Sequence, residues 1–75
     1  MKKYKNVSGQ SGVSAYEIGE DFILIQFVGS RETYVYSYVM PGRETVEEMK
    51  ELARSGKGLT TFISQVVRDD YFEKY

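Results

Sequence analysis

Three stretches of the chain alternate apolar and polar positions, and the segments that follow repeat their apolar residues every three to four. Val13 to Ile18 carries Val, Tyr and Ile at near-alternating spacing. Phe22-Ile23-Leu24-Ile25-Gln26-Phe27-Val28 is the strongest strand signal, and Thr33-Tyr34-Val35-Tyr36-Ser37-Tyr38-Val39 is a third run of β-branched and aromatic residues at period two. Gly19-Glu20-Asp21 and Gly29-Ser30-Arg31-Glu32 are polar breaks of turn length, which predicts an antiparallel meander. Met40-Pro41-Gly42 ends the sheet, because proline cannot donate to a ladder and Pro-Gly is turn chemistry.

After Arg43 the period changes. Thr45 with Glu48 three residues on reads as a capping box, Val46, Met49, Leu52 and Ala53 form an apolar stripe, and Gly56 is a natural stop. Glu44, Glu47 and Glu48 lie toward the positive end of this helix and Lys50 and Arg54 toward the negative end, as its dipole favours. A second helix opens near Thr60 or Thr61, where Leu59, Phe62, Ile63, Val66, Val67 and Tyr71 recur on one helical face. With about 13 residues it spans about 20 Å, enough to cross a three-stranded sheet. The expected architecture is α+β, a three-stranded antiparallel β-meander followed by two helices packed on one sheet face. Residues 1–12 combine three lysines with Ser8-Gly9-Gln10-Ser11-Gly12 and read as a flexible N-terminal arm, leaving 13–75 as a single domain.

On the middle strand Ile23, Ile25 and Phe27 share one face, and Phe22, Leu24, Gln26 and Val28 share the other; the first set is the cleaner core face. The loop sequence leaves the register of the next strand open. A two- or four-residue loop around Ser30-Arg31 pairs Phe27 with Tyr34 and turns Tyr34, Tyr36 and Tyr38 toward the core. A one-residue slip turns them outside, where they would form a stacking platform for unstacked bases.

Composition narrows the chemistry. The 75 residues contain no cysteine, histidine or tryptophan, which removes thiol and imidazole catalysis, disulfides and nearly every transition-metal site, so no cofactor and no metal are expected. A hydrophobic fraction of 41% with 28% charged residues is that of a folded domain. A net charge of -1 and a pI near 5.4 predict no bulk attraction to nucleic acid or to anionic membrane. The basic opening Met1-Lys2-Lys3-Tyr4-Lys5 is followed by a polar stretch with no apolar signal core, and with the missing cysteine this points to the cytoplasm and to no membrane partner.

Ser55-Gly56-Lys57-Gly58-Leu59-Thr60-Thr61 has the look of a phosphate loop but lacks its pattern. Glu51 stands where the first glycine belongs, Gly58 where Ser or Thr must follow the lysine, and a helix precedes it in place of a strand. A weaker anion site built from Arg54, Lys57 and the first amides of the second helix, with Arg68 further along, stays open beside the plain reading of solvated charge. The carboxylates Glu17, Glu20 and Asp21, and Glu44, Glu47, Glu48 and Glu51, lie on a turn and an exposed helix face with no cleft between them, so an enzyme is not expected.

Ile23-x-Ile25-x-Phe27, Tyr34-x-Tyr36, Ala53-x-Ser55-Gly56-x-Gly58-Leu59-x-x-Phe62-Ile63 and Val67-Arg68-x-x-Tyr71 follow one another in an order that resembles the KTSC domain. That family is named for a C-terminal segment on some lysyl-tRNA synthetases and is also seen as small free-standing bacterial or phage proteins. The resemblance covers about residues 13–71; Tyr38 and the loop from Val28 to Thr33 depart from it. It implies this fold and, through the synthetase, an RNA-binding role in which Tyr34, Tyr36 and Arg68 are the matching positions. Two functions follow as expectations. One is a non-catalytic module that binds RNA through Tyr34, Tyr36 and Tyr38, aided by Arg31, Arg54, Lys57, Arg68 and the lysine-rich arm. The other is a protein-interaction module or homodimer, of the kind a phage or prophage encodes, using an edge strand and exposed aromatics.

Overall fold

The computed structural model describes all 75 residues as an α+β fold in which one sheet carries one layer of helix. The sheet has five antiparallel strands in chain order: β1 (Lys2–Lys3), β2 (Val13–Ile18), β3 (Phe22–Phe27), β4 (Thr33–Ser37) and β5 (Glu73–Lys74). The three alternating runs are its centre. The two edge strands, each two residues long, are too short to leave a periodic signal.

The β3–β4 pairing places Ile23 opposite Tyr36, Ile25 opposite Tyr34 and Gln26 opposite Thr33. Six residues therefore connect the last pair, a longer loop than either register considered from the sequence, and Phe27 meets the Tyr34 ring diagonally and not as a paired residue. Cross-strand partners share a face, so the tyrosines point the same way as Ile23 and Ile25. That is the helix-covered face, where Ile23, Ile25 and Tyr36 are buried with Val13 and Tyr16.

Helix α1 (Arg43–Ser55) buries Val46, Met49 and Ala53 against this face. It begins two residues before the expected capping box, with Gly42 as the N-cap and no side chain capping it, so Thr45 lies inside the first turn. Gly56 ends the helix with φ 78, a conformation glycine adopts without steric cost, and its N–H returns to the Leu52 carbonyl.

The second helix is shorter than its apolar pattern predicts. Helix α2 (Leu59–Phe62) passes into a π-helical segment, Ile63–Val67, and the chain leaves it at Arg68 with φ 53. The widened turn selects the i, i+4 spacing: Leu59, Ile63 and Val67 are buried, Phe62 is half-buried and Val66 is exposed. Tyr71 lies beyond the helix yet still packs against the core.

Where the sequence reads as a flexible arm, several of residues 1–12 are paired to the sheet or packed on α2. Lys2 and Lys3 pair with Tyr16 and Ala15, the Tyr4 N–H donates to the Ser14 carbonyl at 3.0 Å, and the Val7 N–H donates to the Gly56 carbonyl at 2.8 Å. Tyr4 is 2% exposed, its ring meets Tyr16 edge-on at 6.5 Å, and its hydroxyl accepts from the first amide of α2, Leu59, at 3.3 Å. Thr60 Oγ1 accepts from the Gly12 N–H at 3.0 Å and shares a 2.6 Å hydrogen bond with the Ser11 hydroxyl, joining the same segment to α2. Small polar residues here serve as hydrogen-bonding partners around one buried ring.

Replacing that ring should therefore behave as a core deletion. Tyr4→Ala is expected to lower the unfolding free energy by about 3–5 kcal/mol. A urea titration followed by circular dichroism checks it; a loss under about 1 kcal/mol would restore the loose arm.

Candidate functional site

The structure sends the three tyrosines of the predicted base platform to the covered side of the sheet. Tyr36 is 1% exposed and is core, while Tyr34 and Tyr38 are half-buried at the two ends of the row. Burial, with the neighbouring Tyr34 and Tyr71 phenols and Asp69, raises the Tyr36 phenol far above the usual tyrosine range. Tyr38 is tied to α1: its hydroxyl donates to Glu47 Oε2 at 2.7 Å, and Arg43 and Lys50 lie 5.6 and 5.4 Å from its ring centre. Because Glu47 accepts that bond, the Tyr38 phenol is also held above its ordinary value.

The basic residues stand at four exposed places along the chain. Arg31 is exposed in the β3–β4 loop, Arg54 pairs with Glu51 at 3.5 Å near the end of α1, Lys57 is exposed between the helices, and Arg68 follows the π-helical segment. The Lys57 N–H and carbonyl are both engaged by Ser55 Oγ, and the Thr60 hydroxyl is engaged by the N-terminal segment. Arg54 and Lys2 do border one shallow depression of about 600 Å3, floored by Tyr16 and Ile18.

The acidic face of α1 lines another open depression with Glu44, Glu47, Glu48 and Glu51. Its one displaced carboxylate, Glu47, is shifted downward by the hydrogen bonds it accepts from Lys50 and Tyr38. A general acid needs the opposite shift. No three His, Cys, Asp or Glu side chains come together as a metal would require, and no helix is long and apolar enough to cross a membrane.

Lys50, read from the sequence as a dipole partner, is 4% exposed; its ammonium donates to the Glu20 carbonyl at 2.9 Å and pairs with Glu47 at 2.7 Å. It fastens α1 to the β2–β3 turn, and nothing in its local sequence signals this.

What remains open is the other face of the sheet. Alternation places Ala15, Phe22, Leu24 and Val35 there, all half-buried and outside the core, with Lys3, Glu17 and Glu73 exposed at the margins. Gln26 Nε2 donates to Thr33 Oγ1 at 3.1 Å across the same face. The Phe22 ring folds over Gly19 so closely that any side chain there would collide with it. The apolar character of Phe22 and Leu24 is visible in the sequence; that no helix covers them is not.

No family model, curated protein or solved structure matches the chain.

The raised Tyr36 phenol sets the sign of the alkaline response. A tyrosine in the unfolded chain releases its proton near pH 10 while the folded one keeps it, so the stability Tyr36 confers is complete below about pH 10 and is lost as the pH climbs toward its folded value. The urea midpoint should fall between about pH 9 and pH 11, and Tyr36→Phe should flatten that fall. Absorbance at alkaline pH should show a phenol that ionises only with unfolding; a gradual, complete titration of all tyrosines before unfolding would contradict it.

Proposed function

We propose that this protein is a non-catalytic protein-contact module that works through the open face of its sheet, with a second copy of the chain as the simplest partner. The observation that carries this reading is the one-sided layering: both helices lie on the Ile23–Ile25–Tyr36 side, and Leu24, Val35, Phe22 and Ala15 are left facing outward. An apolar centre with a mixed rim of Lys3, Glu17, Gln26 and Glu73 is the composition of a protein interface.

Its size sets the strength expected. The three central strands, five to six residues each, give a footprint of about 14 by 17 Å, just under the roughly 300–600 Å2 of a functional surface patch and well below the roughly 800 Å2 per partner of a standard stable complex. A weak, reversible contact follows, of micromolar or lower affinity.

RNA binding through the tyrosine row has less support. One ring of the three is sealed in the core, the four named basic residues stand on separate segments, and the open face carries one lysine against two glutamates. Phosphate neutralisation needs clustered positive charge.

Leu24→Lys tests the proposal. Wild-type protein should show an average mass rising above the 8.7 kDa monomer as its concentration approaches about 1 mM, whereas the variant should stay monomeric and lose less than about 1 kcal/mol of stability. Sedimentation and urea titration measure both. A wild type that is monomeric throughout ends the self-association form, and a stability loss on the scale of a core substitution ends the open-face reading.

A further inference from the structure

A chain of rings runs along the covered side of the β4–β5 edge. Phe27 meets Tyr34 at 5.2 Å and 81°, Tyr34 meets Tyr71 at 5.0 Å and 88°, and Tyr71 meets Tyr36 at 6.5 Å and 85°. The inner end, Tyr36, is buried, while Phe27, Tyr34 and Tyr71 are half-buried. Tyr34 and Tyr71 thus form a right-angled corner, braced on both sides by other rings.

A cation already sits in that corner. Lys74 lies opposite Tyr34 in the β4–β5 pairing, its ammonium is 5.6 Å from the Tyr34 ring centre and 6.0 Å from that of Tyr71, and Glu32 Oε2 is 3.6 Å away. Two π faces and a carboxylate around one nitrogen are the parts from which ammonium sites are built.

We propose that the Tyr34–Tyr71–Glu32 corner is a binding site for an alkylated ammonium group, which Lys74 fills from within the same chain. Three observations carry this. The bracing rings hold the corner's shape in advance, which lowers the ordering cost of binding. The occupant is replaceable, since β5 is two exposed residues long and the Lys74 side chain is 40% exposed. The spacing suits a larger head: at 5.6–6.0 Å the bare ammonium stands at the outer limit of a cation–π contact, and each N-methyl group would extend about 1.5 Å toward a ring. A quaternary nitrogen also has no N–H to satisfy, and its charge still finds the Glu32 carboxylate beside Lys74. The Glu32 carboxylate raises the Lys74 pKa, the sign expected of a place that favours positive charge. The site lies on the opposite side of the sheet from Leu24 and does not depend on that face being a contact surface.

The test is a titration of isotope-labelled, full-length Lys74→Ala with tetramethylammonium chloride, against sodium chloride at matched ionic strength and tert-butanol as the neutral analogue of the same shape. Saturable shifts of the Tyr34 and Tyr71 ring signals are expected from the cation alone. The wild type should need about two- to five-fold more ligand, because Lys74 competes for the corner. Glu32→Gln in the Lys74→Ala background should weaken binding, and Tyr71→Leu, if folded by its amide spectrum, should abolish it. A short peptide bearing trimethyllysine, compared with free tetramethylammonium, separates a polypeptide source from a small cation: tighter binding of the peptide assigns the site to modified chains, equal binding to free cations. No saturable shift in Lys74→Ala, equal shifts with tert-butanol, or binding unchanged by Glu32→Gln would each overturn the assignment.

Discussion

Ile23 facing Tyr36 and Ile25 facing Tyr34 is the pairing on which the rest of the molecule depends. Both members of each pair turn to one side of the sheet, so a slip of one residue would exchange them for Leu24 and Val35. Apolar character alone does not choose between these sets, since both are apolar. Size and polarity do. Helix α1 offers Val46, Met49 and Ala53 to the core in which the Tyr36 ring is buried. On the other side Gln26 reaches Thr33 through a side-chain hydrogen bond, a contact that only this register supplies. The polar pair outside and the large rings inside select the same alignment.

With the tyrosines inside, the covered face still has a margin to close, and a chain this short has little spare apolar material. Its core numbers twelve residues, of which one, Tyr4, comes from the polar N-terminal segment. That segment fills the margin by the β1–β2 edge; its Tyr4 hydroxyl accepts from the Leu59 amide, which the four-residue helix cannot satisfy itself, and its Gly12 amide donates to the Thr60 hydroxyl. Lys50 performs the matching service at the other end, where its buried ammonium is held by a carbonyl and a carboxylate. Removing either partner would strand a charge in the interior, so the helix is positioned by polar contacts as well as by packing.

The three central strands are legible in the sequence because each extends over enough residues to show a period of two, and the Ile23–Ile25–Phe27 side is legible as core for the same reason. The two-residue strands escape, since Lys2–Lys3 and Glu73–Lys74 carry no apolar pattern and exist by pairing to neighbours already in place. Tyr4 escapes because one aromatic among lysines and serines is indistinguishable from a solvated ring until its cavity is known. The end of the second helix escapes because a π turn shifts which residues face inward, leaving Val66 exposed where the α-helical repeat buries it. At the candidate sites the split is similar. Phe22 and Leu24 stand out by alternation, whereas the pair Glu32 and Tyr34 and the pair Tyr71 and Lys74 are far apart along the chain and meet only through the closing of β5 onto β4.

One-sided layering explains why the aromatic residues and the open surface part company. A strand rich in tyrosine invites a reading in which the rings face a ligand, and that would require the helices to lie on the Leu24 side. They lie on the tyrosine side, because tyrosine buries a large ring while keeping its hydroxyl near the rim, and a thin two-layer fold has a rim close to every core position. Tyr38 spends its hydroxyl on Glu47 and Tyr34 its ring on Tyr71 and Lys74. The outward surface is then left to Ala15, Leu24 and Val35 with the single ring of Phe22 and a nearly balanced rim, which can exclude water against another protein but offers no row of rings for successive bases. The sheet therefore divides its chemistry by face: ring geometry and cation contact on the covered side, apolar area on the open one.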